Sequence, residues 1–324
     1  MKVLITGGAG FIGYHLARYH LTLGDSVTIV DNLLKTDGEL DEECRVLVKT
    51  PLVELLQIDL TDAAARCMPV SNVDIVYHLA AINGTRLFYE IPYGVARANL
   101  LMTLNLLDAL EGKSIGKLVF ASSSEVYAGC GQVGLLKIPT DEEIPVVFPQ
   151  PTEDRFSYGG SKFMGEFLCL RFGRQLKVPT SIVRYHNVYG PRMGKMHVIP
   201  EFIARILARE NPFRIYGGQE TRAFCYVEDA VEATYLIATT PSCNDEIIHV
   251  GNSDQEIRIE NVARLMMDEI GEQCDIVECG GRSGSVSRRC ADTSKLQRLT
   301  GFKAKMDLKG GLSRTCAWYL AHPR

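Results

Sequence analysis

The sequence predicts an α/β protein built on a doubly wound parallel sheet, because short apolar strands alternate with helical segments. Helical spacing is found at Phe11–Leu23 and Asn99–Leu110, each followed closely by a glycine. Strands that are apolar throughout indicate a parallel sheet covered on both faces, as in a Rossmann-type fold. Six segments read as such strands: Lys2–Thr6, Ser26–Asp31, Leu55–Asp59, Val73–Ala80, Lys117–Ser122 and Thr180–Tyr185.

The pattern changes after Asn187, where loops rich in Gly and Pro separate short elements. These elements are the helices Val198–Arg209 and Ile259–Ile270 and the strands Arg214–Tyr216 and Ile247–Val250. They predict a smaller C-terminal α/β lobe. We therefore predict a Rossmann domain over 1–185 and a second lobe over 186–324. The two are interleaved, and part of 221–245 returns to the first domain.

The composition is that of an ordinary globular protein. The chain has 324 residues, of which 46% are hydrophobic and 23% charged, and its net charge is −4. No basic excess points to nucleic acid or to an anionic membrane. The first strand is short and followed by glycines, which excludes a signal peptide or a membrane span there. Ten scattered cysteines without a CxxC pair indicate reduced thiols in the cytoplasm and no metal site.

A glycine-rich loop, "GGAGFIG", follows the first strand and opens the first helix. Gly7, Gly10 and Gly13 allow a tight turn and a close approach of the backbone to a pyrophosphate. Such a pyrophosphate would lie at the helix N-terminus, beside Phe11 and Ile12. The loop therefore predicts a dinucleotide site.

An acidic residue ends the second strand, as a dinucleotide site requires. Asp31, in "IVDN", can accept hydrogen bonds from the adenosine ribose hydroxyls and repels a 2′-phosphate, which favours NAD over NADP. Asp59, at the end of the next strand, could bind the adenine amine. It could equally cap a helix over Thr61–Arg66.

A tyrosine and a lysine four residues apart, in "FSYGGSK", form the second chemical motif. On a helix, Tyr158 and Lys162 share one face. We therefore expect the lysine ammonium, together with the positive nicotinamide ring of oxidised NAD, to lower the tyrosine pKa from its usual value of about 10 towards neutrality. The resulting tyrosinate could take a proton from a substrate alcohol.

With these motifs in place, the sequence resembles the extended short-chain dehydrogenase/reductases that act on nucleotide sugars. The resemblance extends over nearly the whole chain. It is carried by "TGGAGFIG", "VYHLAA" (Val76–Ala81), Asn99, "SSSEVY", "YGGSK", "RYHNVYGPR" (Arg184–Arg192), "TRAFCYVEDAV" (Thr221–Val231) and "SRRCADTSKL" (Ser287–Leu296).

The resemblance implies roles for residues at matching positions. Ser123 would bind the 4-hydroxyl of the sugar, Tyr158 would be the base, and Lys162 would bind the nicotinamide ribose. Substrate contacts would come from Ser124, Asn187, His197, Val198, Arg222 and Arg289. Further cofactor contacts would come from Asn32, Leu60, Leu79, Ala80, Ala81, Asn99, Tyr185 and Val188.

Glu125, in "SSSEVY", favours a reaction with a second step after oxidation of C4. In resembling dehydratases the matching Glu removes a proton made acidic by the 4-ketone, and resembling decarboxylases of nucleotide glucuronates also carry Glu. Ser124 stands where dehydratases usually have an acid, which weakens the dehydratase interpretation. Glu125 could instead cap a helix or pair with an arginine.

The segment "AAINGTRLFYEIPYGVARANL" departs from the commonest members of this family. We expect Asn83, Thr85 and Arg86 to enter the sugar pocket from the loop after the "HLAA" strand. Arg86 could face a substrate anion such as a C6 carboxylate, or it could lie on the surface.

The predicted function is NAD-dependent epimerisation of a nucleotide diphosphate sugar through a transient 4-keto sugar. Dehydration or decarboxylation through Glu125 is the main alternative. A 4-ketoreductase or dehydrogenase with exchanging NAD, or an NAD sensor without catalysis, is a further one. The resemblance also implies a homodimer through helices Asn99–Leu110 and Ser157–Phe172. The nucleotide base and the sugar cannot be read from the sequence.

Overall fold

A seven-stranded parallel sheet forms the centre of the molecule, for which a computed structural model describes residues 1–36, 38–280 and 286–322. The strands are β1 (Lys2–Thr6), β2 (Ser26–Asp31), β3 (Val53–Gln57), β4 (Val73–His78), β5 (Ile115–Ser123), β6 (Thr180–Tyr185), β7 (Val188–Tyr189), β8 (Phe213–Ile215), β9 (Thr221–Ala223), β10 (Cys225–Tyr226), β11 (Ile247–Val250), β12 (Glu256–Arg258), β13 (Ile276–Glu278) and β14 (Arg288–Arg289).

Helices cover both faces of this sheet and build part of the smaller lobe. They are α1 (Phe11–Thr22), α2 (Glu42–Val48), α3 (Thr85–Glu90), α4 (Pro92–Leu110), α5 (Phe156–Leu176), α6 (Val198–Leu207), α7 (Val227–Thr239), α8 (Ile259–Ile270), α9 (Ser294–Thr300) and α10 (Leu308–Ala321). Within the described ranges, every helix is too short or too polar to cross a lipid bilayer.

The order of strands in the central sheet is β11-β6-β5-β4-β1-β2-β3, and every pair is parallel. The chain proceeds outward from β1 through β2 and β3, then returns to place β4 on the other side of β1. This reversal opens a crevice at the carboxyl ends of β1 and β4, where open α/β sheets bind their ligands. The predicted doubly wound fold is confirmed.

Alternate side chains of the strands fill two separate cores. Val3 and Ile5 of β1 pack with Leu16 of α1 on one face. On the other face Leu4 packs with Leu106 of α4. Burial on both faces explains why the strands are apolar throughout.

The predicted place of Ile247–Val250 in the smaller lobe is wrong. This segment is β11, which pairs with β6 at the edge of the central sheet. Helix α7 precedes it and packs against α1. The smaller sheets are β12-β9-β14, β13-β8 and β10-β7. A four-residue strand does not encode its partner locally, because its pairing depends on residues more than 60 positions away.

Several predicted boundaries differ from those observed. Helix α4 begins at Pro92 rather than Asn99, because proline is well tolerated in the first helical turn. The predicted strand Leu55–Asp59 ends earlier, at Gln57, and Val73–Ala80 ends at His78. The shorter strands leave Asp59 and Ala80 in the loops that line the crevice.

Candidate active site

The loop between β1 and α1 is shaped for close approach of a ligand. Gly7 has φ +71°, and a Cβ atom at Gly13 would lie 2.3 Å from the Gly7 carbonyl oxygen. Larger residues are therefore excluded from both positions. Gly10 caps α1 without a side-chain hydrogen bond, and the helix dipole favours an anion there. This loop could hold a pyrophosphate.

Asp31 lies at the end of β2 and contacts the glycine loop directly. Its Oδ2 accepts a hydrogen bond from the Ala9 backbone N–H at 3.1 Å, and its Oδ1 accepts one from Leu33 at 2.9 Å. The carboxylate is therefore fixed at the edge of the crevice, where it could accept hydrogen bonds from ribose hydroxyls.

Asp59 does not cap the following short helix, so that alternative is wrong. Its Oδ2 accepts a hydrogen bond from the Asn32 side chain at 3.1 Å, and its Oδ1 accepts from the Thr61 backbone at 2.8 Å. The 3₁₀ helix Ala63–Cys67 is capped by Asp62 instead. Asp59 thus lies beside Asn32, on the same side of the crevice as Asp31, while Leu60 is buried in the core.

The loop after β4 lies against the glycine loop. A Cβ atom at Gly7 would be 2.8 Å from the Ala80 nitrogen, and Leu79 and Ala81 beside it are half-buried. Asn99 of α4 holds the next residue of the loop, because its Oδ1 accepts from the Ile82 backbone at 2.8 Å. Its Nδ2 donates to Ser161 of α5 at 3.1 Å. Asn99 therefore ties the loop to the helix that carries Tyr158.

The structure brings Tyr158 together with Ser123, as predicted. Tyr158 is buried on α5, and the Ser123 side chain at the end of β5 lies near enough to the phenol to act on its pKa. Burial, and then the charge of Glu125, raise the pKa of Tyr158, although Ser123 acts in the opposite direction. The groups of the protein therefore raise the Tyr158 pKa, and the lowering expected from Lys162 together with the nicotinamide ring of NAD stays a prediction.

The position of Lys162 explains in part why its charge does not lower the Tyr158 pKa. Its ammonium donates to the Ala121 carbonyl at 2.8 Å and lies 5.8 Å from the centroid of the Tyr158 ring. Burial lowers the pKa of Lys162 to about 8. The two side chains share a helix face, but the ammonium is directed at the end of β5 rather than at the phenol oxygen.

An aromatic ring that the sequence motifs did not indicate fixes the plane of Tyr158. Phe88 of α3 stacks on it, with ring centroids 4.8 Å apart and planes 8° apart. Phe88 is buried, and its carbonyl accepts a hydrogen bond from Ser157 at 3.3 Å. The loop after β4 is therefore packed directly on the candidate base.

Glu125 forms ion pairs with two arginines. Its Oε1 accepts a hydrogen bond from Arg289 Nη1 at 2.7 Å, and its Oε2 lies 3.8 Å from Arg155 Nη2. Burial alone would raise the pKa of Glu125, but the charges of Arg289 and Arg155 outweigh it, so the pKa is lowered. The carboxylate is thus ionised and already paired. Arg155 belongs to this cluster and was missed, because only its position three residues before Tyr158 hinted at it.

A third guanidinium group lies within electrostatic reach of this pair. Arg222 of β9 donates to Glu220 at 2.7 Å and to the Thr221 carbonyl at 2.8 Å. Burial and repulsion from Arg289 lower the pKa of Arg222 to about 10. Strand β14, which carries Arg289, pairs with β9 and so places the two arginines together. The cluster could bind an anionic ligand.

The segment after β6 places several predicted contacts around the crevice. Asn187 has φ +42° and donates to the Ala223 carbonyl at 3.0 Å, and Val188 begins β7. The Tyr185 hydroxyl is 2.8 Å from the Thr234 hydroxyl of α7. His186 is buried, and neither of its ring nitrogens has a hydrogen-bond partner in the described part of the chain.

The remaining predicted substrate residues are less enclosed. Arg86 pairs with Glu90 along α3 and its side chain is 70% exposed, so the structure places it on the surface rather than in the site. Thr85 at the start of α3 is also exposed, whereas Asn83 is half-buried. His197 and Val198 begin α6, and burial lowers the pKa of His197 to about 4.

Metal ions have no candidate site among the residues that the structure describes, because no three His, Cys, Asp or Glu side chains cluster suitably. Ser124 lies beside Tyr127 and His186 in a small cavity bordered by Arg289.

A family model described as the NAD dependent epimerase/dehydratase family matches residues 3–251. The UDP-N-acetyl-alpha-D-glucosaminuronate decarboxylase of Bacillus cytotoxicus is 35% identical over 98% of this chain and 97% of its own length. The UDP-glucuronate 4-epimerase of Thermodesulfobacterium geofontis is 31% identical over 97% of this chain and 95% of its own.

Solved structures have the same fold over the whole chain. UDP-glucuronic acid 4-epimerase from Bacillus cereus, crystallised with UDP-glucuronic acid and NAD, superposes with a TM-score of 0.87. It is 26% identical to this chain, and the match covers 99% of this chain and all of that one.

Proposed function

The chain belongs to the NAD dependent epimerase/dehydratase family, and on that premise we propose that it oxidises C4 of a UDP-hexuronic acid and releases its carboxyl group as CO₂. The observation that carries this proposal is the ionised carboxylate of Glu125, held by Arg289 and Arg155 beside Tyr158. An arginine cluster of this kind suits a substrate with an anionic group near the reacting carbon.

The glycine loop and Asp31 fit NAD. A Cβ atom at Gly7 would collide with the Ala80 backbone and one at Gly13 with the Gly7 carbonyl oxygen, so only glycine allows this tight turn. The uncapped end of α1 at the turn favours the charge of a pyrophosphate. Asp31 would accept the ribose hydroxyls. Asn32 and Asp59 would lie at the adenine end, and Leu79, Ala80, Ala81, Tyr185 and Val188 along the nicotinamide half. When bound, NAD accepts the hydrogen of C4 with its electron pair.

In the proposed reaction, Tyr158 takes the proton of the 4-hydroxyl while Ser123 orients that hydroxyl. The proximity of these two side chains, through which Ser123 acts on the Tyr158 pKa, supports this division of roles. Lys162 would hold the nicotinamide ribose, and the positive charge of bound NAD would oppose the burial that raises the Tyr158 pKa.

Decarboxylation follows from the chemistry of the 4-ketone. A carboxyl group at C6 is then β to a ketone and leaves as CO₂ without a base: the C5–C6 bond breaks, its electron pair passes to the C4 oxygen as an enolate, and C5 then takes up a proton. The hydrogen first removed from C4 is returned to it, which restores the 4-hydroxyl and NAD. The paired, ionised state of Glu125 makes it a poor proton acceptor, which argues against dehydration. Its fixed negative charge disfavours a neighbouring substrate carboxylate and so favours the neutral product. The relative with 35% identity is named as a decarboxylase of a UDP-uronic acid, which supports this outcome.

Epimerisation at C4 of the same substrate is the second candidate. It requires no group beyond Ser123, Tyr158 and NAD, and Glu125 is occupied by its arginines. Relatives named as UDP-glucuronate 4-epimerase and putative UDP-glucose 4-epimerase, each 31% identical, favour this possibility.

The two outcomes are separated by one experiment. The purified protein is incubated in deuterated water with UDP-glucuronic acid or its 2-acetamido analogue, and the products are analysed by mass spectrometry and NMR. We expect loss of CO₂ and one solvent deuterium at C5, because the carbon left by CO₂ takes its proton from the medium.

A product of unchanged mass without deuterium would replace decarboxylation by 4-epimerisation. Turnover of UDP-glucose but of neither uronic acid would overturn the proposed substrate class. UDP-xylose added as substrate controls for slow secondary exchange at C5, because it already lacks the carboxyl group.

We also propose that the smaller lobe binds the nucleotide and that the protein is cytoplasmic. Arg222 and Arg289, both on strands of that lobe, would face the diphosphate, while Asn187, His197 and Val198 would line the nucleotide path. All ten cysteines lie in the described residues and are free thiols, which suits a reducing compartment.

A homodimer through α4 and α5 is proposed on the basis of apolar side chains exposed along these helices. Phe167 is 56% exposed, and Phe163, Met164 and Leu104 are exposed as well. A second copy of the chain is the proposed partner because α4 and α5 pack side by side and can repeat the same face.

Replacing Phe167 with Glu is expected to convert the dimer to a monomer, because a charge would be buried in the interface. Light scattering after size exclusion measures the mass. Val46→Glu, at an exposed apolar position on α2, serves as the control and should leave the mass unchanged. A wild-type protein that is monomeric at all concentrations would refute the proposed dimer.

A further inference from the structure

Arg155 is a nearly buried guanidinium with donors to spare. It directly precedes α5, and its side chain is 12% exposed. Its Nε atom is buried and has no hydrogen-bond partner in the described ranges. The contact with Glu125, at 3.8 Å, is an ion pair that is too long for a hydrogen bond. Because a guanidinium carries five donor hydrogens, a buried one normally finds several acceptors.

The two neighbouring arginines already form hydrogen bonds with other groups. Arg289 donates to Glu125 at 2.7 Å, while Arg222 is held by Glu220 and by the Thr221 carbonyl. The three guanidinium groups face two carboxylates, which leaves one positive charge in the cluster. Arg155 therefore has donors without a hydrogen-bond acceptor in the described ranges, and it belongs to a cluster with one positive charge in excess, as an incoming anion requires.

We propose that Arg155 binds the C6 carboxylate of the substrate and thereby selects uronic acids over neutral hexoses. This inference rests on the proposed function, in which the substrate is a UDP-hexuronic acid. Arg155 contacts the Oε2 atom of Glu125, whereas Arg289 contacts Oε1, and Arg155 lies three residues before Tyr158 in the chain, so it would lie near the reacting end of the sugar. A guanidinium fork matches a carboxylate with two parallel hydrogen bonds, which an ammonium cannot reproduce.

The geometry also gives Arg155 a part in the reaction. A carboxylate held next to ionised Glu125 experiences repulsion that the guanidinium only partly cancels. Arg155 would therefore hold the substrate in place while Glu125 favours the departure of CO₂. Arg155 is thus a specificity-determining residue, and Tyr158 remains the base.

The test compares the binding of an acidic and a neutral ligand to variants that retain NAD. Affinities for UDP-glucuronic acid, UDP-glucose and UDP are measured by calorimetry with Arg155, Arg155→Gln and Arg155→Lys, each in the Tyr158→Phe background so that turnover does not consume the ligand. We expect Arg155→Gln to weaken the binding of UDP-glucuronic acid by about 10- to 100-fold, the loss typical of a buried charge-assisted pair. Its affinity for UDP-glucose and UDP should change by less than about 3-fold, since neither ligand has a C6 carboxylate.

Arg155→Lys keeps the positive charge but lacks the two-pronged guanidinium, so its loss of affinity for UDP-glucuronic acid should be smaller than that of Arg155→Gln. It also provides a second variant should Arg155→Gln fold poorly, which thermal unfolding and NAD content report. Equal losses for all three ligands would assign Arg155 to the diphosphate or to structure and overturn the inference. Unchanged affinity for all three would overturn it as well.

Failure of this inference is distinguishable from failure of the proposed function. If wild-type protein binds UDP-glucuronic acid no more tightly than UDP-glucose, the uronic acid proposal itself fails. If the wild type discriminates between them and Arg155→Gln does so equally well, only the role of Arg155 is refuted.

Discussion

Replacing Tyr158 with Phe is expected to lower kcat by about 10²- to 10⁴-fold, the range that a positioned general base contributes. The substitution removes only the phenol oxygen, and stacking on Phe88 keeps the ring in place. The fold and the NAD content should therefore be unchanged. The measurement is turnover of the UDP-sugar substrate, together with release of the dinucleotide on heating.

Tyr235→Phe is the matched control for this loss. Tyr235 lies on α7 and packs against Tyr19 and His20, far from Ser123, so activity should remain within about 2-fold of the wild type. A Tyr158→Phe variant with full activity would remove the assigned base from the reaction.

The pH profile gives a second view of the same residue. A base with a raised pKa is active once deprotonated, so kcat/KM should increase with pH on the alkaline side of neutrality. Glu125→Gln removes a charge that raises the Tyr158 pKa, and the increase should then begin at lower pH. A shift in the opposite direction would contradict the electrostatic relation between the two side chains.

Local sequence patterns were sufficient for the elements that build the crevice. The bounds of β1, β2, β6 and α8 agree with those predicted, because each is a continuous apolar or amphipathic segment ended by a turn or by a polar residue. The family, the NAD dependence and the enzyme class predicted from the motifs are likewise confirmed. These features depend on short segments in which the chemistry of the site requires a particular type of residue at each position.

Contacts between distant segments could not be predicted in the same way. The pair of Glu125 and Arg289 joins residues 164 positions apart, and β11 pairs with β6, which lies more than 60 positions earlier in the chain. The spacing placed Lys162 on the same helix face as Tyr158, but it could not show that the Ala121 carbonyl would accept a hydrogen bond from the Lys162 ammonium. The direction of a pKa shift depends on such contacts, so the sequence could not show that burial and the charge of Glu125 raise the Tyr158 pKa.

Acidification is expected to destabilise this protein steeply below pH 6.5, because three histidines are buried as neutral imidazoles. Burial lowers the pKa of His78 and of His249 to about 3, and it lowers that of His186 well below its usual value. In the unfolded chain each takes up a proton near pH 6.5. The unfolded state therefore binds more protons, and the free energy of unfolding falls as the pH falls.

Each of these three histidines should cost about 1.4 kcal/mol at pH 5.5, which is about 4 kcal/mol together, and His15 and His197, whose pKa values burial lowers to about 4, add to that cost. That is a large part of the roughly 5–15 kcal/mol that stabilises a typical domain. Urea unfolding at pH 8, 6.5 and 5.5, with a fixed amount of bound NAD, measures the effect. A free energy of unfolding that is constant over this range would contradict it.

His186→Phe isolates one of the three contributions. The ring nitrogens of His186 have no partner within the described residues, and the ring packs on His249 with centroids 4.5 Å apart. Phenylalanine can fill the same space without a titrating group, so stability at pH 8 should be retained. Below pH 6.5 the slope of the free energy of unfolding against pH should decrease by about 1.4 kcal/mol per pH unit, because one fewer proton is taken up on unfolding. An unchanged slope would mean that His186 is already protonated in the folded protein, in conflict with its burial between His249 and Arg289.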